Sequence, residues 1–333
     1  MLKSRKCEKM DTEKTFLIYE DSDIASRELS EGDLETARHY IEVTRHLQEI
    51  HHLFLIFKNN IDNLQKDYIL KNGGNVFCEN KPATGKDDYI AVNAHTINII
   101  SSGRTLVESM ECYINCNSKI DTAAKKEYLD FYHQIYDSSF AYRLLIRLRD
   151  YSQHGHLPVS SEKNNYYFDL LQIANKPHYS HNKTFEKQIR GIIDDILTNY
   201  HNTPTIAFTE TLAEFTAKLL SVYTVFWRQT EDELTEAYNN FQNMILNYPE
   251  NVIADENSSS EFFVYDIADG NMHIVNPNDN PQEMFTEFKN EAKSLCDEYE
   301  KAHRDLVAGN LYISCCEKQI TVQSGTDFHF PQV

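Results

Sequence analysis

Residues 140–158 read FAYRLLIRLRDYSQHGHLP and form the most basic short segment of a strongly acidic chain. The apolar residues of this segment fit one side of a helix: Tyr142, Leu145, Ile146 and Leu148. Three arginines follow at helical spacing: Arg143, Arg147 and Arg149. Gly155 can take the left-handed conformation that often ends a helix, and Pro158 cannot continue one. The segment therefore predicts a helix that ends in a turn near His154.

Long helical patterns precede this segment. Apolar residues recur three or four positions apart over residues 34–70 and again over residues 87–116, which predicts two long helices. A third helix is predicted from Thr122. It leads into residues 140–158 either directly or through a break at residues 138–139.

Shorter patterns follow the segment. Residues 166–173 fit a short strand or a short helix, residues 185–200 fit a helix, and Pro204 opens a further helix. Two runs rich in β-forming residues, 262–267 and 272–275, flank an Asp-Gly pair and predict a hairpin.

The last part of the chain continues the mixed pattern. A helix is predicted from Pro281 to about residue 308, and a second hairpin within residues 311–322. The sequence thus predicts a mainly α protein with a small α+β C-terminal part. Its predicted regions are a polar N-terminal arm, a helical domain and an α+β region, over residues 1–32, 33–250 and 251–333.

Charge and cysteine content limit the function classes. The net charge of -19 argues against broad electrostatic binding to nucleic acid or to an anionic membrane. The N-terminal sequence lacks the apolar core of a signal peptide, and no apolar run is long enough to span a membrane. Seven cysteines without a framework spacing are typical of reduced thiols. A cytoplasmic protein without membrane partners is expected.

Arg149 and His154 can form a phosphate site at the end of the predicted helix. On a regular helix they would point about 140° apart, but a break at Gly155 lets the His154 ring swing toward the arginines. Arginine binds phosphate through paired charge-assisted hydrogen bonds, and histidine transfers protons near neutral pH. His154 can move the 2′-OH proton or protonate the leaving oxygen of RNA, while Arg149 stabilises the charged transition state.

A structural interpretation of the same pair stays open. Arg149 can form a surface salt bridge, and His154 can simply cap the helix. The spacing alone is not specific, because Arg45 is followed by His51 and His52 inside an ordinary helical pattern.

The sequence LRDYSQH, residues 148–154, at the end of a helix in an all-helical domain resembles the HEPN family. The signature of that family is an arginine, then four to six residues, then a histidine, and Arg149 and His154 match it. Asp150 stands where the family often has asparagine, and its carboxylate can orient the guanidinium or repel the phosphate. The long helices over residues 34–70 and 87–116 resemble the antiparallel pair of that fold, and a looser resemblance covers residues 34–230.

The resemblance implies a helical bundle that dimerises so that two motifs face one cleft. It implies a metal-independent endoribonuclease of a toxin–antitoxin or phage-defence system, with RNA as substrate, an antitoxin or defence protein as partner, and no cofactor. Arg149 and His154 would be its catalytic residues. Because the chain is acidic, RNA would be admitted by a local basic patch: Arg143, Arg147, Arg149, His154 and His156. The residues predicted to bind substrate beside the catalytic pair are Arg143, Arg147, Asp150 and His156. Other HEPN proteins are inactive, so the alternative is a non-catalytic module for dimerisation or partner binding.

Other candidate sites lack a complete pattern. The four histidines with metal-ligand spacing have no cysteine or carboxylate at a recognisable distance, so no metal site is predicted: His154, His156, His178 and His181. Cys112 and Cys116 lie one helical turn apart and either bind metal or belong to the core or its rim. The resemblance also places a polar residue of the second helix near the Arg/His pair, and the candidates are Ser102, Arg104 and Glu108. The chain has no P-loop, G-x-S-x-G or H-E-x-x-H motif, which argues against the enzyme classes that depend on them.

Overall fold

The mainly α fold predicted from the sequence is confirmed, with strands in two small sheets. The computed structural model describes ten stretches of the chain, numbered 15–19, 27–28, 30–64, 86–162, 165–175, 183–200, 204–247, 262–266, 271–275 and 281–307. His178, His181 and the predicted hairpin within residues 311–322 lie outside these stretches. None of the described helices combines the length and apolarity needed to cross a membrane.

The described helices are, in chain order, α1 (Glu31–Leu64), α2 (Lys86–Cys116), α3 (Thr122–Ser138), α4 (Phe140–Gln153), α5 (Leu170–Ala174), α6 (Lys183–Asp195), α7 (Phe208–Leu246) and α8 (Pro281–Val307). A π-helical turn at Ile196–Tyr200 follows α6. The described strands are β1 (Thr15–Tyr19), β2 (Arg27–Glu28), β3 (Ser160–Glu162), β4 (Asn165–Asp169), β5 (Thr205–Ala207), β6 (Phe262–Asp266) and β7 (Asn271–Val275).

The first sheet has the strand order β2-β1-β6-β7, and its neighbouring strands are antiparallel. β6 and β7 form the predicted hairpin, with Phe262 opposite Val275. β1 pairs with β6 along its whole length, from Thr15 opposite Asp266 to Tyr19 opposite Phe262. This pairing joins the predicted N-terminal arm to the predicted C-terminal region.

The second sheet has the order β3-β4-β5 and is also antiparallel. Both alternatives for residues 166–173 occur, because β4 is followed directly by α5. The prediction that Pro204 opens a helix is wrong. β5 comes first, pairing Thr205 with Asp169, and α7 begins only at Phe208.

The chain forms two compact units, one of residues 1–49 and 230–287 and the other of residues 50–229 and 288–333. α1, α7 and α8 each have residues in both units. The regions predicted from the sequence, divided near residues 33 and 251, stay a prediction. The candidate site lies in the second unit, where the aromatic rings of Phe57, Tyr142 and Phe215 bring α1, α4 and α7 together.

Gly103 allows α2 to approach its neighbours in the second unit. A Cβ atom at this position would lie 2.8 Å from Cδ1 of Leu219, 3.1 Å from Cε2 of Phe57 and 3.2 Å from Cζ of Phe215. Gly191, in α6, has open space at the same position.

Alanine at position 103 is expected to lower the free energy of unfolding by about 1 kcal/mol. Overpacking a core costs about 1–3 kcal/mol, and the middle of that range exceeds by about 1 kcal/mol the gain of about 1 kcal/mol from replacing a helical glycine. Gly191→Ala is the matched control. It should instead stabilise the protein, because alanine has the higher helix propensity and its Cβ meets no neighbouring atom there. Urea unfolding of both variants checks the opposite signs, and two stabilising effects of equal size would contradict the packing argument.

Candidate functional site

The helical pattern is interrupted between α3 and α4. The third predicted helix therefore does not lead directly into residues 140–158 but ends at a break at residues 138–139. Ser139 is the N-cap of α4, and its Oγ accepts a hydrogen bond of 3.1 Å from the backbone N–H of Tyr142. The same residue ends α3, because its backbone N–H donates to the carbonyl of Ile135. Its hydroxyl also donates to the carboxylate of Glu214 on α7. Ser139 therefore fixes where α4 starts.

The C-terminal end of α4 has the predicted form. The helix ends at Gln153, and His154 is its C-cap, with the backbone N–H 3.3 Å from the carbonyl of Asp150. Gly155 has a φ of 83°, the left-handed conformation that its lack of a Cβ permits. His154 is exposed at this turn.

Asn93 of α2 holds the chain that follows this turn. Its Nδ2 donates to the carbonyl of Val159 at 3.1 Å, and its Oδ1 accepts from the N–H of Val159 at 2.9 Å. Both residues are buried. Between this tether and the cap, the His156 ring lies against Tyr151, with the ring centroids 4.8 Å apart. The turn with both histidines is thus attached to α2 by a buried pair of hydrogen bonds.

Four charged side chains connect α2 to α4 beside this turn. Nη1 of Arg104 lies 2.9 Å from Oδ1 of Asp150, and Nε of Arg104 lies 2.7 Å from Oε1 of Glu108. Nη1 of Arg149 lies 3.7 Å from Oε2 of Glu108. Burial by itself would lower the pKa of Arg104, but the hydrogen bond to Glu108 and the charge of Asp150 raise that pKa above its ordinary value. Arg104 therefore stays charged at the centre of the group.

Arg149 uses its hydrogen-bonding capacity less fully than Arg104 does. Its side chain is 25% exposed, and the 3.7 Å separation from Glu108 is too long for a good hydrogen bond. Its Nε is buried and has no hydrogen-bond partner among the described residues. Because this Nε is closed to solvent, an anionic ligand could reach only the exposed part of the guanidinium, through hydrogen bonds from its terminal nitrogens.

The other predicted substrate-binding residues have different surroundings. Arg143 is buried, and its Nη1 donates to the carbonyls of Tyr136 and Asp137, at the C-terminal end of α3. Desolvation lowers the pKa of Arg143. Arg147 is half-buried, and its Nε and Nη2 donate to the hydroxyl of Tyr136 at 3.1 and 2.9 Å. Arg143 thus binds the end of α3 from a buried position, whereas Arg147 lies nearer the surface.

The structure discriminates among the three polar candidates of α2. Arg104 and Glu108 contact α4, whereas Ser102 bonds the amide of Asn60 at 3.1 Å and the carbonyl of Asn98 in its own helix. Spacing alone could not make this choice. Asn93 and Tyr136 were not among the residues singled out from the sequence. Asn93 follows Val92 within an otherwise apolar stretch, and a polar residue there was the only available signal.

Carboxylates offset part of the positive charge at the site. Burial raises the pKa of Tyr132, on α3, to about 12, and the nearby charge of Glu111 adds to the rise. Glu108 and Asp150 pair with Arg104 and Arg149, so the patch is less basic than the sequence of α4 suggests. Within the described part of the chain, no group of three or more histidines, cysteines or carboxylates is placed to hold a metal ion.

Comparisons with protein-family models, with curated proteins and with solved structures give no match for this chain. The resemblance to the HEPN family therefore stays a prediction that rests on residues 148–154 and on the helices around them.

Proposed function

We propose that this chain is a HEPN-like, metal-independent endoribonuclease of the kind found in toxin–antitoxin and phage-defence systems. The observation that carries the proposal is the position of Arg149, which is partly exposed and has only a long contact of 3.7 Å with Glu108, near the end of the helix that His154 caps. A partly exposed arginine and an exposed histidine, five residues apart across a helix end, supply the two groups that phosphodiester cleavage needs.

In the proposed reaction, the ribose 2′-oxygen attacks the adjacent phosphorus and the bond to the 5′-oxygen breaks. The products are a 2′,3′-cyclic phosphate and a 5′-hydroxyl. His154 either accepts the 2′-OH proton or donates a proton to the leaving 5′-oxygen, and water carries the other of these two protons. Arg149 donates hydrogen bonds to the phosphoryl oxygens as negative charge develops on them.

The charged group between α2 and α4 bears on this mechanism in two ways. Asp150 lies 2.9 Å from Arg104, so its negative charge is offset and turned toward α2. Because Arg104 offsets its charge, Asp150 can lie next to Arg149 without repelling a phosphate. Glu108 competes with the phosphate for Arg149. The distance of 3.7 Å between Glu108 and Arg149 makes Glu108 a weak competitor.

A non-catalytic module for dimerisation or partner binding is the second candidate. It is favoured by the pairing of Arg104 with Asp150 and of Arg149 with Glu108, since a binding surface needs no unpaired cation. In that case the end of α4 would contact a second copy of the chain or another protein.

RNA cleavage in EDTA separates the two candidates. His154→Ala and Arg149→Ala are each expected to lose about a hundredfold in cleavage rate, because a proton-transfer group or a charge-stabilising group is removed. Wild type should leave 2′,3′-cyclic phosphates. The matched controls are His52→Ala and Arg228→Ala, which replace exposed side chains of α1 and α7 and should leave the rate unchanged.

Sedimentation of the same proteins gives the complementary measurement. If folded wild type cuts none of several RNA pools, while His154→Ala or Arg149→Ala loses dimerisation, the binding module replaces the ribonuclease. Equal loss of cleavage in the two control variants would also contradict the assignment of Arg149 and His154.

A further inference from the structure

Two cysteines at the C-terminal end of α2 form a close, exposed pair. Cys112 and Cys116 are one helical turn apart, and their Sγ atoms are separated by 3.8 Å. Both thiols are free and exposed. The third cysteine within the described residues, Cys296, is buried and donates to the carbonyl of Ala217. Only the pair on α2 therefore offers two thiols to a ligand from solvent, as far as the structure describes the chain.

The separation of the two sulfurs matches that of two thiolates on one metal ion. Zinc–sulfur bonds are about 2.3 Å long, and two of them at a tetrahedral angle place their sulfurs about 3.8 Å apart. A disulfide needs Cβ atoms about 3.8 Å apart, whereas Cβ atoms one helical turn apart are separated by about 5–6 Å. Bidentate metal binding therefore fits an intact α2 better than oxidation does.

The charges around the pair favour a cation. Glu111, next to Cys112 in the sequence, lies close enough for its negative charge to act on that thiol. The same negative charge attracts a divalent cation to this end of α2. A metal ion must displace the thiol protons, so its affinity should increase with pH.

We propose that Cys112 and Cys116 bind one thiophilic divalent cation of the zinc and cadmium class. Two S–H bonds release their protons to solvent and two metal–sulfur bonds form, without any oxidant or reductant. No third histidine, cysteine or carboxylate completes a cluster among the described residues, so water fills the remaining positions. The site is independent of the proposed ribonuclease activity.

Titration of the reduced full-length protein with Cd²⁺ tests this site, with ultraviolet sulfur-to-cadmium absorption as the readout. The starting protein carries serine at the four cysteines outside the described residues: Cys7, Cys78, Cys315 and Cys316. It should saturate at one Cd²⁺ per chain. Cys112→Ser and Cys116→Ser should each weaken binding by about a hundredfold, because the second ligand of a chelate acts at high effective concentration. Cys296→Ser is the control and should change nothing.

A second titration keeps the test decisive if the serine-substituted protein does not fold. Wild type and its Cys112→Ser variant, both verified by circular dichroism, should then differ by one bound Cd²⁺. Absence of the absorption, or equal absorption with and without Cys112, would overturn the proposal.

Discussion

Asn93→Ala is expected to lower the free energy of unfolding by about 2–4 kcal/mol. The Asn93 amide both donates to and accepts from the backbone of Val159, and Val159 is 0% exposed. Alanine would leave a buried N–H and a buried carbonyl without partners, and each costs about 1–3 kcal/mol. Thermal and urea unfolding measure the total effect.

Asn60→Ala is the matched control for this change. Asn60 also lies in a long helix, but its amide bonds only the hydroxyl of Ser102, at a half-buried position. Both variants gain the same helix propensity, so the control should cost less than about 1 kcal/mol. Hydrogen exchange should show faster opening at the Val159 amide in Asn93→Ala only. Equal costs for the two variants would mean that the tether contributes little.

Glu210→Gln is expected to stabilise the protein by about 3 kcal/mol at pH 8 and to change little at pH 4. Glu210 lies in the first turn of α7 and is 7% exposed. Burial raises the pKa of this carboxyl from 4.5 to about 7, because the charged form is poorly solvated there. Glutamine keeps the shape and the polarity but never ionises.

The sign follows from proton binding. Between pH 4.5 and 7 the folded chain retains a proton on Glu210 that the unfolded chain has released, so stability falls as pH rises through this range. Burial lowers the pKa of His51 from 6.5 to about 4. The stability that the neutral His51 contributes is therefore lost as pH falls from 6.5 to 4. His51 is present in wild type and variant alike, so it cancels from their difference.

Urea unfolding between pH 4 and pH 8 checks this prediction. The exposed Glu236, also on α7, provides the control, since a substitution at an exposed position should change the free energy of unfolding by less than about 0.5 kcal/mol. A Glu210→Gln effect of the same size at both pH values would show that the charge is not the cause.

The helices could be predicted from the sequence because their signals are local and repeated. α2, α3 and α8 each carry several turns of apolar spacing, and Gly155 marks the end of α4. The second sheet could not be predicted in the same way. β3 and β5 have three residues each, too few to show an alternation, and β3 is entirely polar. Their pairing with β4 depends on contacts distant in sequence.

The candidate site was predictable to a similar extent. The cap at His154 follows from the residues that end α4, but the choice of Arg104 and Glu108 depends on how α2 packs against α4. Burial of Glu210 also could not be predicted from the sequence, because a carboxylate in the first turn of a helix is ordinarily an exposed charge. These features depend on tertiary packing, which spacing within one helix does not specify.

The pairing of β1 with β6 has a consequence for synthesis on the ribosome. β1 leaves the ribosome early, but β6 follows roughly 240 residues later, a delay of about 10–50 s at translation rates of about 5–20 residues per second. The first sheet therefore cannot be completed until most of the chain has been made. Residues 15–19 lack their β6 partner throughout that interval, and unpaired strand edges are prone to aggregation during folding.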